Sequence, residues 1–347
     1  MQARAKKPTF VAGGITALFG AVAACTSGYD TQETPDASVP PPLGISDAAM
    51  PAPDAGPSDA PAGGSCDGGK CAPANLAQGL ARPGYIRLTG KDVIVLGESG
   101  VLRVSKAGGP TLVSLSSKSA TGLAVAADGA VIVATQEGIR LLTPESKAPI
   151  TIASKPTTEV AVFAGAVFGC SSDAATPSEV VRYTLSAGST GTVMVKDANL
   201  CESIATDGAT VYFGGDALNR VDAQTSGTSG SKTAFTQKPA RRLVIDAEYV
   251  YSIASDSPSV LKTTRATAAV AVLAESPDAT GAGDIALDAT HVYWTTGKAG
   301  GVYRVPKAGG PVEPIALAQD FPTGIAVDDE AVYWTEREGG TLRKLPK

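Results

Sequence analysis

A twelve-residue pattern occurs twice near the carboxyl terminus, forty residues apart. Residues 284–295 read DIALDATHVYWT and residues 324–335 read GIAVDDEAVYWT. Worn copies extend towards the amino terminus. Their first apolar anchors are Ile86, Leu123, Val160, Ile204, Leu243, Ile285 and Ile325. A second apolar run follows each anchor, as in Val93-Ile94-Val95 and Val332-Tyr333-Trp334. A third run follows, such as Val101 to Val104 or Val302 to Val305, then a Lys-Ala-Gly-Gly turn and a fourth run, such as Thr111 to Leu115. The runs are short, rich in Val, Tyr and Thr, and punctuated by Gly and Asp, which predicts strands rather than the longer helical spacing of a solenoid. Four short strands every ~40 residues make the blade of a β-propeller.

Seven anchors predict seven blades. The last repeat stops at Lys347 after its third strand, and the missing fourth is expected from the other end. Residues 74–80 (ANLAQGL) echo residues 314–320 (PIALAQD). A first strand that completes the last blade closes the ring and removes an exposed sheet edge. The expected fold is therefore all-β: a seven-bladed propeller of four-stranded antiparallel blades over residues 74–347.

The Val-Tyr-Trp-Thr segments at 292–295 and 332–335 resemble the repeats of the YWTD propellers, and more loosely those of the NHL group. Thr296 and Glu336 depart from the YWTD pattern, which has aspartate there, and that family has six blades. The resemblance implies a fold and no particular activity.

Residues 1–24 read as a secretory signal. Arg4, Lys6 and Lys7 precede an uncharged apolar stretch that ends in small residues. That stretch is shorter than the ~20 residues a membrane-spanning helix needs. Val22-Ala23-Ala24-Cys25 resembles the bacterial lipobox, which implies a lipid-modified Cys25 and a palmitate-bearing membrane anchor. Thr26 in place of aspartate points to the outer membrane. Residues 25–73 are rich in Pro, Ala, Ser and Asp, too poor in apolar bulk to offset their ordering entropy, and read as a tether. With Cys25 set aside, four of the five cysteines remain. Cys66 and Cys71 bracket a turn-prone Asp-Gly-Gly-Lys loop, and a disulfide closing it is expected. In a four-stranded meander, the loops joining second and third strands share a face with the loops between blades. Cys170 ends a second strand in the third repeat and Cys201 sits in the loop entering the fourth, so both are expected on that face and a disulfide between neighbouring blades is expected.

The same face gathers carboxylates. Glu98, Glu137, Asp173, Asp216, Asp256 and Glu336 follow the second strands and form a candidate binding rim; the sixth repeat has Lys298. A column of cations on the third strands, Arg103, Arg140, Arg182, Arg220, Lys262, Arg304 and Arg343, reads as structural or as partners for the rim. The closing strand is expected to begin on the opposite face, so that the rim points away from the membrane.

The formal net charge of −5 falls to about −8 without the signal's cations, which disfavours nucleic acid, whose binding needs a basic face. The lone histidine, His291, sits in a turn, so histidine-based acid–base or metal chemistry has no support. The first functional expectation is a monomeric, non-catalytic binding or scaffold module for a protein, peptide or glycan, with no cofactor. The second is a lactonase-like, calcium-dependent hydrolase or lyase in the central channel, since carboxylates suit calcium.

Overall fold

The computed structural model describes residues 66–67, 70–116, 119–143, 148–173, 176–196, 198, 201–224, 233–254, 257–277 and 283–347. Its described side chains exclude those of Cys66, Asp67, Lys70, Cys71, Val113, Ser172, Asp173, Thr176 and Pro177. Cys25 and Asp256 lie outside the described residues, as does the signal and tether up to residue 65.

Among the described residues, the ring consists of seven four-stranded antiparallel sheets. Their innermost strands are Ile86–Leu88, Ala120–Val125, Glu159–Phe163, Ser203–Thr206, Arg242–Ile245, Ile285–Leu287 and Pro322–Val327, which number the blades one to seven. Adjacent innermost strands touch all the way round, including the seventh against the first. The closing strand is where the repeat placed it. Ala74–Ala77 pairs antiparallel with Thr341–Pro346, with Ala74 opposite Lys344 and Ala77 opposite Leu342, and completes the seventh blade. A short hairpin before it sets Cys66 opposite Cys71 along the backbone.

Each strand buries alternate residues against the blade on either side, so the core is divided among the interfaces. Among the described residues, seven apolar clusters occur, one between each pair of neighbours. The second strands supply the largest buried side chains, with Trp294, Trp334, Tyr251, Tyr293 and Tyr333 almost fully enclosed. In every blade the register slips by a residue between the third and fourth strands. Such irregularities add twist and bend the outer strand.

The ring has two distinct faces. The rim face carries the loops from second to third strands and from blade to blade. The turn face carries the remaining turns. Residue 74 lies beside the turn-face end of its neighbouring strand, and Leu80 donates its N–H to the Gly340 carbonyl on the rim face (2.9 Å). The closing strand therefore rises from the turn face, as expected.

Turn-face ties join several blades. Asp246 of blade five meets Lys307 of blade six (3.0 Å), Asp288 of blade six meets Lys347 of blade seven (2.7 Å), and Asp328 of blade seven meets Lys106 of blade one (2.8 Å). Asp207 of blade four pairs in the same way with Arg265 of blade five. Each aspartate also accepts backbone N–H groups of its own turn, and Tyr251 and Tyr293 donate their hydroxyls to Asp246 and Asp288. Burial alone would raise these carboxyls, but the lysine and backbone donors outweigh it and hold Asp246, Asp288 and Asp328 below the usual carboxylate range.

Candidate functional site

The rim face holds the carboxylates that the repeat brings together, and those with described side chains fall into two states. Glu98 and Glu137 are well exposed, and Asp216 is exposed as well. Glu98 pairs with Arg82 (3.3 Å), which also holds Glu338 of blade seven (3.1 Å). Glu137 lies 3.7 Å from Arg140 and, among the described residues, is the one rim carboxylate met by the third-strand cation column. Glu336 differs. It is 7 % exposed and accepts from the Asp320 N–H (3.3 Å) and the Thr341 hydroxyl, so it stabilises its own turn and leaves the rim surface. The Asp173 backbone ends a second strand at the rim; its side chain and all of Asp256 lie outside the described residues. Cys170 and Cys201 form the expected disulfide between blades three and four, with Cα atoms 5.6 Å apart. The side chains of Cys66 and Cys71 lie outside the described set.

The cation column is structural. Arg103 pairs with Asp92 of its own blade (3.0 Å), and Arg304 with Glu313 (2.8 Å). Arg182, Arg220 and Lys262 instead donate to the Ala223, Arg265 and Lys307 carbonyls of the next blade. Arg343 bonds Asn75 on the closing strand.

Inside the rim, the residue just before each anchor forms a layer across the channel mouth: Tyr85, Gly122, Glu159, Ser203, Arg242, Asp284 and Gly324. Glu159 accepts from Arg242 across the ring (3.2 Å), and Arg242 stacks 3.9 Å from the Tyr85 ring centre. Gly122 makes room for this pair, since a Cβ there would stand 2.8 Å from Glu159 Oε1. Arg87 rises from the next tier, bonds the Ile86 carbonyl (2.8 Å) and ends 3.7 Å from Asp284 Oδ2. That oxygen is buried and has no hydrogen-bond partner, while Oδ1 accepts the Ile285 N–H (3.0 Å). Burial pushes the Glu159 carboxyl up to about 7, against the pull of Arg87. Burial lowers Arg242, and Asp284 opposes it.

Beyond this layer the channel encloses about 410 Å³. Its first tier is Arg87, Ala124, Ala161, Ala205, Val244, Ala286 and Ala326, one residue past each anchor. Its second tier is Leu88, Val125, Val162, Thr206, Ile245, Leu287 and Val327. The second tier is half-buried and the mouth layer mostly buried, so the channel opens on the turn face and is closed at the rim end. Among the described residues, no three His, Cys, Asp or Glu side chains gather to hold a metal. Another cavity, about 770 Å³, lies on the turn face between blades three and four beside the half-exposed Phe163. The mouth layer was visible in the sequence only as irregularity, a set of unlike residues before like anchors. Arg87 was detectable, as the one charged residue in a column of alanines.

Solved structures share this architecture. Virginiamycin B lyase from Staphylococcus aureus aligns over 80% of this chain and 98% of its own, with a TM-score of 0.65 and 14% identity. YCF48 bound to D1 peptide aligns over 80% and 96%, with a TM-score of 0.60 and 10% identity. BamB from Moraxella catarrhalis aligns over 79% and 96%, with a TM-score of 0.55 and 13% identity. The chain is a seven-bladed propeller. At these identities the likeness is one of fold, which does not fix function. No protein-family model matches the chain, and no curated protein sequence does.

Proposed function

We propose that the chain is an exported, lipid-anchored module of the bacterial envelope whose rim face binds a protein or peptide. The observation that carries this reading is the polarity of the ring. The chain enters blade seven from the turn face, and the exposed Glu98, Glu137 and Asp216 stand on the opposite one. Attachment through Cys25 and the tether would then leave the rim free to meet a partner. The rim mixes signs, with Arg82 and Lys298 also exposed there, which suits a polypeptide carrying both kinds of charge. A propeller of this fold, YCF48, is known bound to a peptide. The calcium-dependent alternative needs at least three carboxylates at the channel mouth; the mouth layer brings Glu159 and Asp284, each beside an arginine, and no third among the described residues.

The test is capture of partners from envelope extracts with the full lipidated chain, beside the same chain carrying Glu98→Ala, Glu137→Ala and Asp216→Ala. The expected result is a polypeptide retained by the wild type and lost by the variant. Identical partners for both would overturn the rim as the binding face. In cells fed labelled palmitate, Cys25→Ser is expected to lose the label and leave the membrane fraction; label retained by that variant would overturn the anchor.

A further inference from the structure

The channel has features that the rim reading does not use. Five of the seven positions in its first tier are alanine and one is valine, so the wall is set back and the lumen stays open. At the seventh position Arg87 brings a guanidinium into an otherwise apolar well. Among the described residues it spends Nη1 on the Ile86 carbonyl, and its nearest carboxylate oxygen, Asp284 Oδ2, stands at 3.7 Å, beyond hydrogen-bond length. A guanidinium has five N–H donors in a planar fork that fits a carboxylate with two parallel bonds. The cavity volume falls within the ~300–1,000 Å³ typical of small-molecule sites, which are mostly apolar with a few placed polar groups.

We propose that the channel binds a small aliphatic carboxylate, inserted from the turn face, with its carboxylate on Arg87 and its alkyl chain along the alanine tier. Charge balance agrees. Arg87 and Arg242 face Asp284 and Glu159, and burial favours the neutral form of Glu159. With Glu159 protonated, the layer has two positive charges and one negative, and a bound carboxylate restores neutrality. The direction of entry follows from burial, since the mouth layer shuts the rim end. This site lies on the other face from the proposed rim partner and stands or falls separately from it.

Octanoate is the probe, titrated calorimetrically into the full chain carrying Cys25→Ser, which needs no detergent. Saturable one-to-one binding is expected, with butanoate at least ten-fold weaker because it leaves most of the wall uncovered. Arg87→Leu is expected to weaken octanoate at least ten-fold while sparing 1-octanol, which lacks the carboxylate. Ala286→Leu, which narrows the channel without touching a charge, is expected to weaken both. Octanoate affinity is expected to fall as pH rises past about 7, because Glu159 then ionises. The charged groups facing it are Arg87, Arg242 and Asp284, with Tyr85 stacked on Arg242, and blade two brings Gly122 and the Leu123 backbone N–H. No binding of octanoate at millimolar concentration, or binding unchanged in both folded variants, would overturn the site. If Arg87→Leu does not fold, Ala286→Leu and the octanoate-to-octanol ratio in the wild type decide alone, and equal binding of acid and alcohol would overturn it.

Discussion

Blades four to seven and blades one to three use the same strands but are tied to their neighbours differently. In the later blades an aspartate three residues past the anchor caps its own turn and grips a cation from the next blade. Tyrosine stands in the second strand beside it, at Tyr212, Tyr251, Tyr293 and Tyr333. In blades one to three the aspartate is replaced by Thr89, Ala126 and Phe163, and the tyrosine by Ile94, Ile132 and Phe168. Blade three has other ties, the disulfide to blade four and Glu159 reaching across the ring to Arg242, and blade one reaches Asp284 of blade six through Arg87 (3.7 Å). One scaffold thus tolerates loss of its repeated polar tie, and in blades one and three a covalent or cross-ring tie stands in its place.

The largest expected difference lies in the buried second strands. Trp334→Ala is expected to cost about 3–5 kcal/mol, as large-to-small changes at aromatic core sites do. Val133→Ala, at the matching place in blade two, is expected to cost clearly less, measured by urea unfolding. Equal costs would mean that the later blades are no better packed than the early ones. Next comes the disulfide, which closes a sequence separation of 31 residues. Its loss in Cys201→Ala is expected to cost roughly 3–4 kcal/mol if it acts by limiting the unfolded chain. Thermal unfolding with and without reductant measures this.

The aspartate ties follow. Asp288→Asn is expected to cost about 1.5–3 kcal/mol, because charge-assisted bonds from Lys347 and Tyr293 are weakened. The folded protein holds Asp288 below the usual carboxylate value, so this stabilisation is complete above the unfolded-state value and is lost as pH falls through the folded one. The variant's acid unfolding curve should therefore be flatter than that of the wild type. Glu159 has the opposite sign. Its carboxyl is raised to about 7, so the folded state holds the proton more tightly and stability declines as pH rises from about 4.5 to 7, by up to about 1.4 kcal/mol per unit of pKa difference. Glu159→Gln is expected to remove that slope between pH 4.5 and 7; an unchanged slope would place its origin elsewhere.

These differences also explain what could be read from the chain. The anchors, blade count, closing strand and Cys170–Cys201 bridge follow from periodicity and meander direction, which act on every repeat alike. The later blades read most clearly because their aspartate–tyrosine pairs recur at fixed offsets, whereas apolar substitutes at Ala126 or Ile132 leave no such mark. The mouth layer was not legible, because Glu159 meets Arg242 only after the ring curves blade three towards blade five. Arg82 likewise bridges Glu98 and Glu338 only once blade seven meets blade one. Glu336 looked like its rim counterparts because loop position alone does not reveal that Thr341 and the Asp320 amide turn it inward. The slipped outer strands leave no trace in a sequence pattern that keeps its spacing.

The central claim is that two kinds of tie hold one ring, and native-state hydrogen exchange before and after reduction tests it most directly. The account predicts that reduction speeds exchange in Ala166–Asp173 and Thr192–Val195 of blade three, while His291–Thr295 and Ala331–Glu336 stay the slowest strands. Equal acceleration in every blade, or none in blade three, would contradict it.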